Sequence, residues 1–142
     1  MTANIISGRE VAEHILEEEL SKKVEILKAK NIIPNLVVIL VGEMKASASY
    51  VKQKEKFAAK AGIKSEVRRF DAEISESDIL SEIDKINDDA FIHGVIVQLP
   101  LPDHISVAKV LNRIHPSNVV DGFTPTNVGK LFLGVVTLVS FI

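Results

Sequence analysis

Two apolar runs without polar alternation, Leu36 to Val41 and Gly94 to Val97, set the architecture. A strand with one wet face alternates in polarity; these do not, so both their faces must be covered, as in a parallel sheet layered between helices. The second run leads directly into Gln98-Leu99-Pro100-Leu101-Pro102. Prolines at alternating positions end regular ladder pairing and impose an extended exit. Strands of parallel sheets present ligand-facing groups at their C-terminal ends. Gln98 is therefore an amide placed where recognition groups sit. The alternative reading is an amide that satisfies neighbouring loop backbone.

Helical segments fall between the strands. Ser7-Gly8-Arg9-Glu10 has the spacing of a capping box. Val11, Ile15, Leu16, Leu20, Val24 and Leu27 follow at helical intervals, which predicts a first helix ending near Asn31, with Pro34 beyond it. A second helix is predicted from about Ala46 to Ala61, stopped by Gly62. Lys64 to Phe70 reads as a more polar strand nearer an edge. Ser75-Glu76-Ser77-Asp78 caps a third helix bearing Ile79, Ile83 and Ile86. Ser106 to Ile114 is a short helix with Val107, Val110, Leu111 and Ile114 inward, and Val119-Val120 is a brief strand. The alternation implies an α/β fold, a three-layer α-β-α domain with a mainly parallel sheet and right-handed crossovers. One domain accounts for 142 residues.

Composition narrows the function classes. The net charge of −2 leaves no basic footprint for nucleic acid. Cysteine is absent, which removes disulfides, thiolate nucleophiles and thiolate-held metals. His14, His93, His104 and His115 lack metal-ligand spacing. The longest mostly apolar run, Leu131 to Ile142, has 12 residues against the ~20 a membrane span needs. A cytoplasmic domain without membrane or nucleic-acid partners is expected. Residues 135–142 are apolar and end without a cap, so they call for a packing partner; self-association as a homodimer is one outcome.

The second helix carries the sharpest anomaly. At ~100° per residue, Ser47, Tyr50, Val51, Lys54, Phe57, Ala58 and Ala61 share one stripe, with Lys54 near its middle. Tyr50 and Lys54, four apart, can touch. Two readings stay open. Lys54 snorkels, its stem covering apolar surface; or it is a partly desolvated amine with a lowered pKa, usable in proton transfer near neutrality. Asp121, in Val120-Asp121-Gly122, reads either as a turn residue or as a carboxylate aimed at an amino-bearing ligand. No Gly-x-Gly pair or phosphate loop occurs.

Ser47-x-x-Tyr50-Val51-x-x-Lys54, the run from Gly94 to Pro102, and Val120-Asp121-Gly122-Phe123 with Asn127 and Gly129 together resemble the catalytic, folate-binding domain of bifunctional methylenetetrahydrofolate dehydrogenase/methenyltetrahydrofolate cyclohydrolase. The resemblance runs from the first helix to about Gly134. It implies that Tyr50 stacks on the folate ring system, and that Lys54 is the general acid/base for hydration and opening of the methenyl bridge. It further implies that Gln98 orients Lys54 and the attacking water or substrate, that Asp121 holds the amino-bearing pterin edge, and that Ser47 lines the pocket. Folate is the implied substrate and NADP the cofactor of the full-length family.

Two departures accompany the resemblance. The family has Lys-Asp before Val-Asp-Gly, and this chain has Asn118-Val119. The family continues past this point with a Pro-Cys-Thr-Pro segment and a Rossmann-type domain. The expectation is a catalytic domain over residues 1–142, truncated before the NADP-binding domain, which binds no cofactor by itself and transfers no hydride. A non-catalytic folate-binding or interaction module is the alternative. A phosphoryl-accepting receiver ranks last, because Val41-Gly42-Glu43 offers one acidic residue where several are needed.

Overall fold

The computed structural model describes residues 6–42, 45–122 and 124–135, with the backbone alone over 45–49. Its elements are α1 (Gly8–His14), a π-helical segment (Ile15–Leu20), α2 (Ser21–Ala29), β1 (Asn35–Val41), α3 (Lys45–Ala61), β2 (Lys64–Phe70), α4 (Glu76–Asp88), β3 (Gly94–Val97), α5 (Val107–Arg113) and α6 (Pro125–Phe132). The sheet is parallel, in the order β2-β1-β3. Val38 pairs with Val67 on one side and Ile96 on the other. Val119 makes one parallel bridge to Val95, the remnant of the expected last strand.

Side-chain alternation along β1 divides the core between two layers. Val37, Ile39 and Val41 join Val95 and Val97 against Ile79, Ile83 and Ile86 of α4 and Val110, Leu111 and Ile114 of α5's side. Leu36 and Ile96 face the other way, towards α3 and the first helical stretch, where Val51, Ala58 and Ala61 are buried. The three-layer expectation holds. So does the polar edge strand: β2 is flanked on one side only, and Arg68 bridges Glu66 at 2.8 Å and Glu82 of α4 at 2.6 Å.

Local signals explain the ends. Ser7, Ser75 and Ser106 each accept a hydrogen bond from the backbone three residues on. Asn31 takes φ 60° just past α2, and the Ile32 N–H reaches back to the Leu27 carbonyl at 3.0 Å, closing the helix with a left-handed cap. Gly62 does the same for α3 at φ 76°. Gly94 serves a different need, close approach. A Cβ there would meet Val120 Cγ1 at 2.6 Å and Leu36 Cδ1 at 3.3 Å. Gly94→Ala is therefore expected to destabilise the fold by about 1–3 kcal/mol through overpacking, read as a lower denaturant midpoint with an unchanged slope.

Four expectations need correction. The first helix is not uniform: the Ile15–Leu20 turn is π-helical, and Ser21 Oγ donates to the Leu16 carbonyl at 2.8 Å. Its apolar stripe is mostly not core. Val24 is buried, whereas Val11 and Ile15 stay 48% and 41% exposed, and Ile15 borders a hollow rather than packed side chains. Val107 is exposed instead of inward, since a seven-residue helix turns only its later apolar positions onto the core. Finally, α6 was not expected. Thr124 caps it and Pro125 opens it, a pairing typical of helix starts. The apolar terminal residues 136–142 lie outside the described residues.

Candidate active site

The sheet places the amide. Ile96 faces α3, and Gln98, two residues on, is carried to the same side. The strand ends at Val97, but the ladder extends one step: the Gln98 N–H donates to the Ile39 carbonyl at 2.9 Å. The Gln98 side-chain amide is itself oriented. Nε2 donates to the Leu99 carbonyl at 2.9 Å, which turns Oε1 towards α3. There it accepts from Lys54 Nζ at 3.3 Å. Sequence reasoning missed the Leu99 carbonyl, because a main-chain acceptor leaves no residue-type signal.

α3 places the amine. Val51, Ala58 and Ala61 anchor its buried stripe, and Tyr50 and Lys54 stand one turn apart on the same flank. Lys54 Nζ lies 4.5 Å from the centroid of the Tyr50 ring, a cation–π contact. Tyr50 is 58% exposed, so its ring keeps a face for another partner. Burial pushes the Lys54 amine below the ordinary lysine value, and the Asp121 carboxylate pulls it part of the way back. Half-buried Lys54 thus touches a ring and an amide oxygen and feels a carboxylate from a third segment.

Asp121 follows the Val95–Val119 bridge by two residues, which brings it to the C-terminal end of the sheet. The two residues that depart from the family pattern are structural here. Asn118 is buried and its carbonyl accepts from the Val95 N–H at 2.8 Å, while Val119 joins the core. Ser47 lies on α3 one turn before Tyr50, but its side chain is outside the described residues.

A cavity of about 590 Å³ opens beside this cluster. Tyr50, Lys54 and Phe57 form one wall, Ile15 and Leu16 of the π-helical segment another, and Ile96 part of the floor. Its size is that of a pocket for a small molecule, with few polar groups placed among many apolar ones. The arrangement can stack a flat ring, transfer a proton at one amine and fix that amine's direction. Among the described residues no group of histidines and carboxylates is placed to hold a metal. No helix among them is long and apolar enough to cross a membrane.

Comparison with known proteins identifies the family. Residues 6–121 match the model of the tetrahydrofolate dehydrogenase/cyclohydrolase catalytic domain. The chain is 50% identical over 134 residues to the bifunctional protein FolD of Bacillus velezensis, covering 94% of this chain and 47% of that protein. FolD of Bacillus subtilis is 49% identical over the same length. Among solved structures, the FolD methylenetetrahydrofolate dehydrogenase/cyclohydrolase of Campylobacter jejuni superposes with a TM-score of 0.89 at 44% identity, over 93% of this chain and 46% of that one. The Trypanosoma brucei enzyme, solved with NADP cofactor and inhibitor, gives 0.86 at 35% identity, over 92% and 45%. The chain spans about half the length of the relatives it matches. With the motif residues, the sheet order and the match over residues 6–121 in agreement, the chain belongs to the tetrahydrofolate dehydrogenase/cyclohydrolase family.

Proposed function

We propose that residues 1–142 form the folate-site half of a methylenetetrahydrofolate dehydrogenase/methenyltetrahydrofolate cyclohydrolase. The observation that carries this reading is the Lys54 amine held between the Tyr50 ring at 4.5 Å and Gln98 Oε1 at 3.3 Å. Tyr50 stacks on the folate ring system. Asp121 accepts charge-assisted hydrogen bonds from the amino-bearing edge of the pterin. Ser47 completes the wall.

The hydrolytic step follows from the amine. The methenyl carbon is cationic, so it lowers the Lys54 pKa further when bound and favours the neutral form. Neutral Lys54 takes a proton from water as the water oxygen bonds to the methenyl carbon. Lysine then returns that proton to the ring nitrogen as the carbon–nitrogen bond breaks, and the remaining hydroxyl proton is released to solvent as the carbonyl forms, giving the formyl product. Gln98 keeps the nitrogen lone pair directed at the attacking water, since its Oε1 accepts one of the amine's N–H groups.

In the full-length family the methylene bridge gives hydride to NADP. The sequence contains no Gly-x-Gly turn, so the residues present do not fit a dinucleotide pyrophosphate, and that step is not assigned to this chain. The purified chain mixed with methylenetetrahydrofolate and NADP is expected to show no rise in nicotinamide absorbance at 340 nm. A steady rise would overturn the assignment of this chain to one half-site.

The setting we propose is cytoplasmic one-carbon metabolism supplying purine biosynthesis. The second reading is a non-catalytic folate-binding or interaction module that associates as a homodimer. It is favoured by α6, whose Val128, Leu131 and Phe132 are 57%, 52% and 91% exposed. Calorimetric titration with a folate analogue separates the two. Saturable heat, reduced in Asp121→Asn, together with turnover of the methenyl bridge supports the enzyme reading; heat without turnover supports a non-catalytic folate-binding module, and neither heat nor thermal shift supports an interaction module.

A further inference from the structure

One edge of the sheet keeps main-chain groups that its own strands do not use. Among the described residues β2 has a ladder partner on one side only, β1. The Lys64 N–H donates to the Pro34 carbonyl at 2.8 Å, and the Phe70 carbonyl accepts from the Gly42 N–H at 2.8 Å. Along a strand, successive residues turn their N–H and C=O groups to opposite neighbours. Lys64, Glu66, Arg68 and Phe70 therefore serve β1, and Ser65, Val67 and Arg69 turn theirs outwards.

An open edge is a template for pairing, and charged side chains of one sign are a device against it. The charges of β2 follow another pattern. When two copies of Lys64 to Phe70 are laid antiparallel about Val67, Glu66 of each copy meets Arg68 of the other. Opposite charges directly across a strand pair attract. The main chain asks for the same register. Val67 faces outwards, so across a two-fold axis it exchanges both its bonds with Val67 of a second copy, and Ser65 does so with Arg69. Glu66 and Arg68 then fall at a non-hydrogen-bonded pair, where Cα atoms come within about 4.5 Å and side chains are closest.

The side chains have capacity left for this. Arg68 Nε donates to Glu66 Oε1 at 2.8 Å and Nη1 to Glu82 Oε1 at 2.6 Å. Arg68 Nη2 and Glu66 Oε2 make no hydrogen bond among the described residues. The Glu66 side chain is 42% exposed. On this face the helix α4 sits inward of the edge, since Ile79, Ile83 and Ile86 pack over β1 and β3.

We propose that β2 pairs antiparallel with β2 of a second copy about Val67, joining the two sheets edge to edge, with Glu66 of each copy paired to Arg68 of the other. This surface is at the far edge from β3 and the Val119 bridge that lead to α6, and it does not depend on the folate reading.

The test is made on the whole chain. Sedimentation equilibrium up to about 1 mM is expected to show a reversible monomer–dimer equilibrium. Amide hydrogen exchange is expected to slow with rising concentration at Ser65, Val67 and Arg69, and to change little at Glu66 and Arg68, whose amides already serve β1. Val67→Pro removes the N–H at the centre of the pairing and spares the β1 ladder, because that N–H faces outwards. It should leave a folded monomer with an unchanged circular-dichroism spectrum. Glu66→Lys keeps the Arg68–Glu82 pair and sets like charges against each other at both symmetric positions, so association should weaken about tenfold. Should the proline variant unfold, Glu66→Lys and the exchange pattern decide. A chain that stays monomeric at about 1 mM would overturn the proposal. So would a dimer whose added protection falls on α6 and not on alternate residues of β2, or association that Glu66→Lys leaves unchanged.

Discussion

Lys54→Met is expected to lower hydrolysis of the methenyl bridge by about 10²- to 10⁴-fold, the range that a positioned general acid/base contributes. The assay is the loss of methenyl absorbance with the purified chain, corrected for spontaneous hydrolysis. Methionine keeps the length and apolar stem of lysine, so packing beside Tyr50 is retained and only the amine is removed. The affinity for a folate analogue should change far less than the rate. A variant that turns over like the parent would take Lys54 out of the mechanism. The same substitution has a stability signature. Burial makes the folded amine bind its proton less readily than the unfolded amine does. The unfolded chain therefore holds more protons in the window between the lowered folded value and the ordinary lysine value. Stability must rise with pH across that window, and Lys54→Met should flatten the rise. Denaturant midpoints measured through the alkaline range read it directly.

The fold was legible where burial leaves a one-residue-type record. Leu36–Val41 and Gly94–Val97 have no polar interruption, and they form the two strands that pair along their length in the middle of the molecule. Ile79, Ile83 and Ile86 repeat at helical spacing, and all three have no exposed surface. Features that depend on neighbours were less legible. Nothing in Ile15-Leu16-Glu17-Glu18-Glu19-Leu20 distinguishes a π-helical turn from an α-helical one; the extra residue per turn shows only in the hydrogen-bond ladder. Val11 and Ile15 look like core residues because hydrophobic periodicity reports a face, not what lies opposite it. The α6 helix was readable from Thr124-Pro125, since a capping hydroxyl before proline is a helix start.

The site divides in the same way. Lys54 stood out because a charge in the middle of an apolar stripe conflicts with the pattern around it, and such conflicts concentrate at functional or strained positions. Tyr50 followed from helical spacing, and Gln98 from its position at a strand end. The direction of the Gln98 amide did not follow, since it is set by the Leu99 carbonyl at 2.9 Å. Asn35 was invisible for a related reason. An asparagine after a proline reads as loop chemistry, and only the packing around it shows that its Oδ1 is buried without a donor.

Asp121→Asn is expected to act twice, and the two effects can be read apart. Replacing the carboxylate with an amide keeps the shape but removes the charge proposed to face the pterin's amino-bearing edge. Hydrogen bonds to a charged group are worth about 1.5–3 kcal/mol, so affinity for a folate analogue should fall about 10- to 100-fold in a calorimetric titration. The second effect travels through Lys54. Burial lowers that amine and the Asp121 carboxylate opposes the shift, so removing the carboxylate leaves burial unopposed. The Lys54 pKa falls further, the neutral base is populated at lower pH, and the rising limb of the hydrolysis profile should move to the acid side at saturating substrate. A residue that only bound the pterin would weaken binding and leave the limb in place. A residue that only shaped the turn at Val120-Asp121-Gly122 would lower stability without moving either quantity. The joint result, weaker binding with an acid-shifted limb, is specific to a carboxylate that faces both the ligand and the amine. An unchanged limb beside intact affinity would separate Asp121 from the Lys54 site altogether.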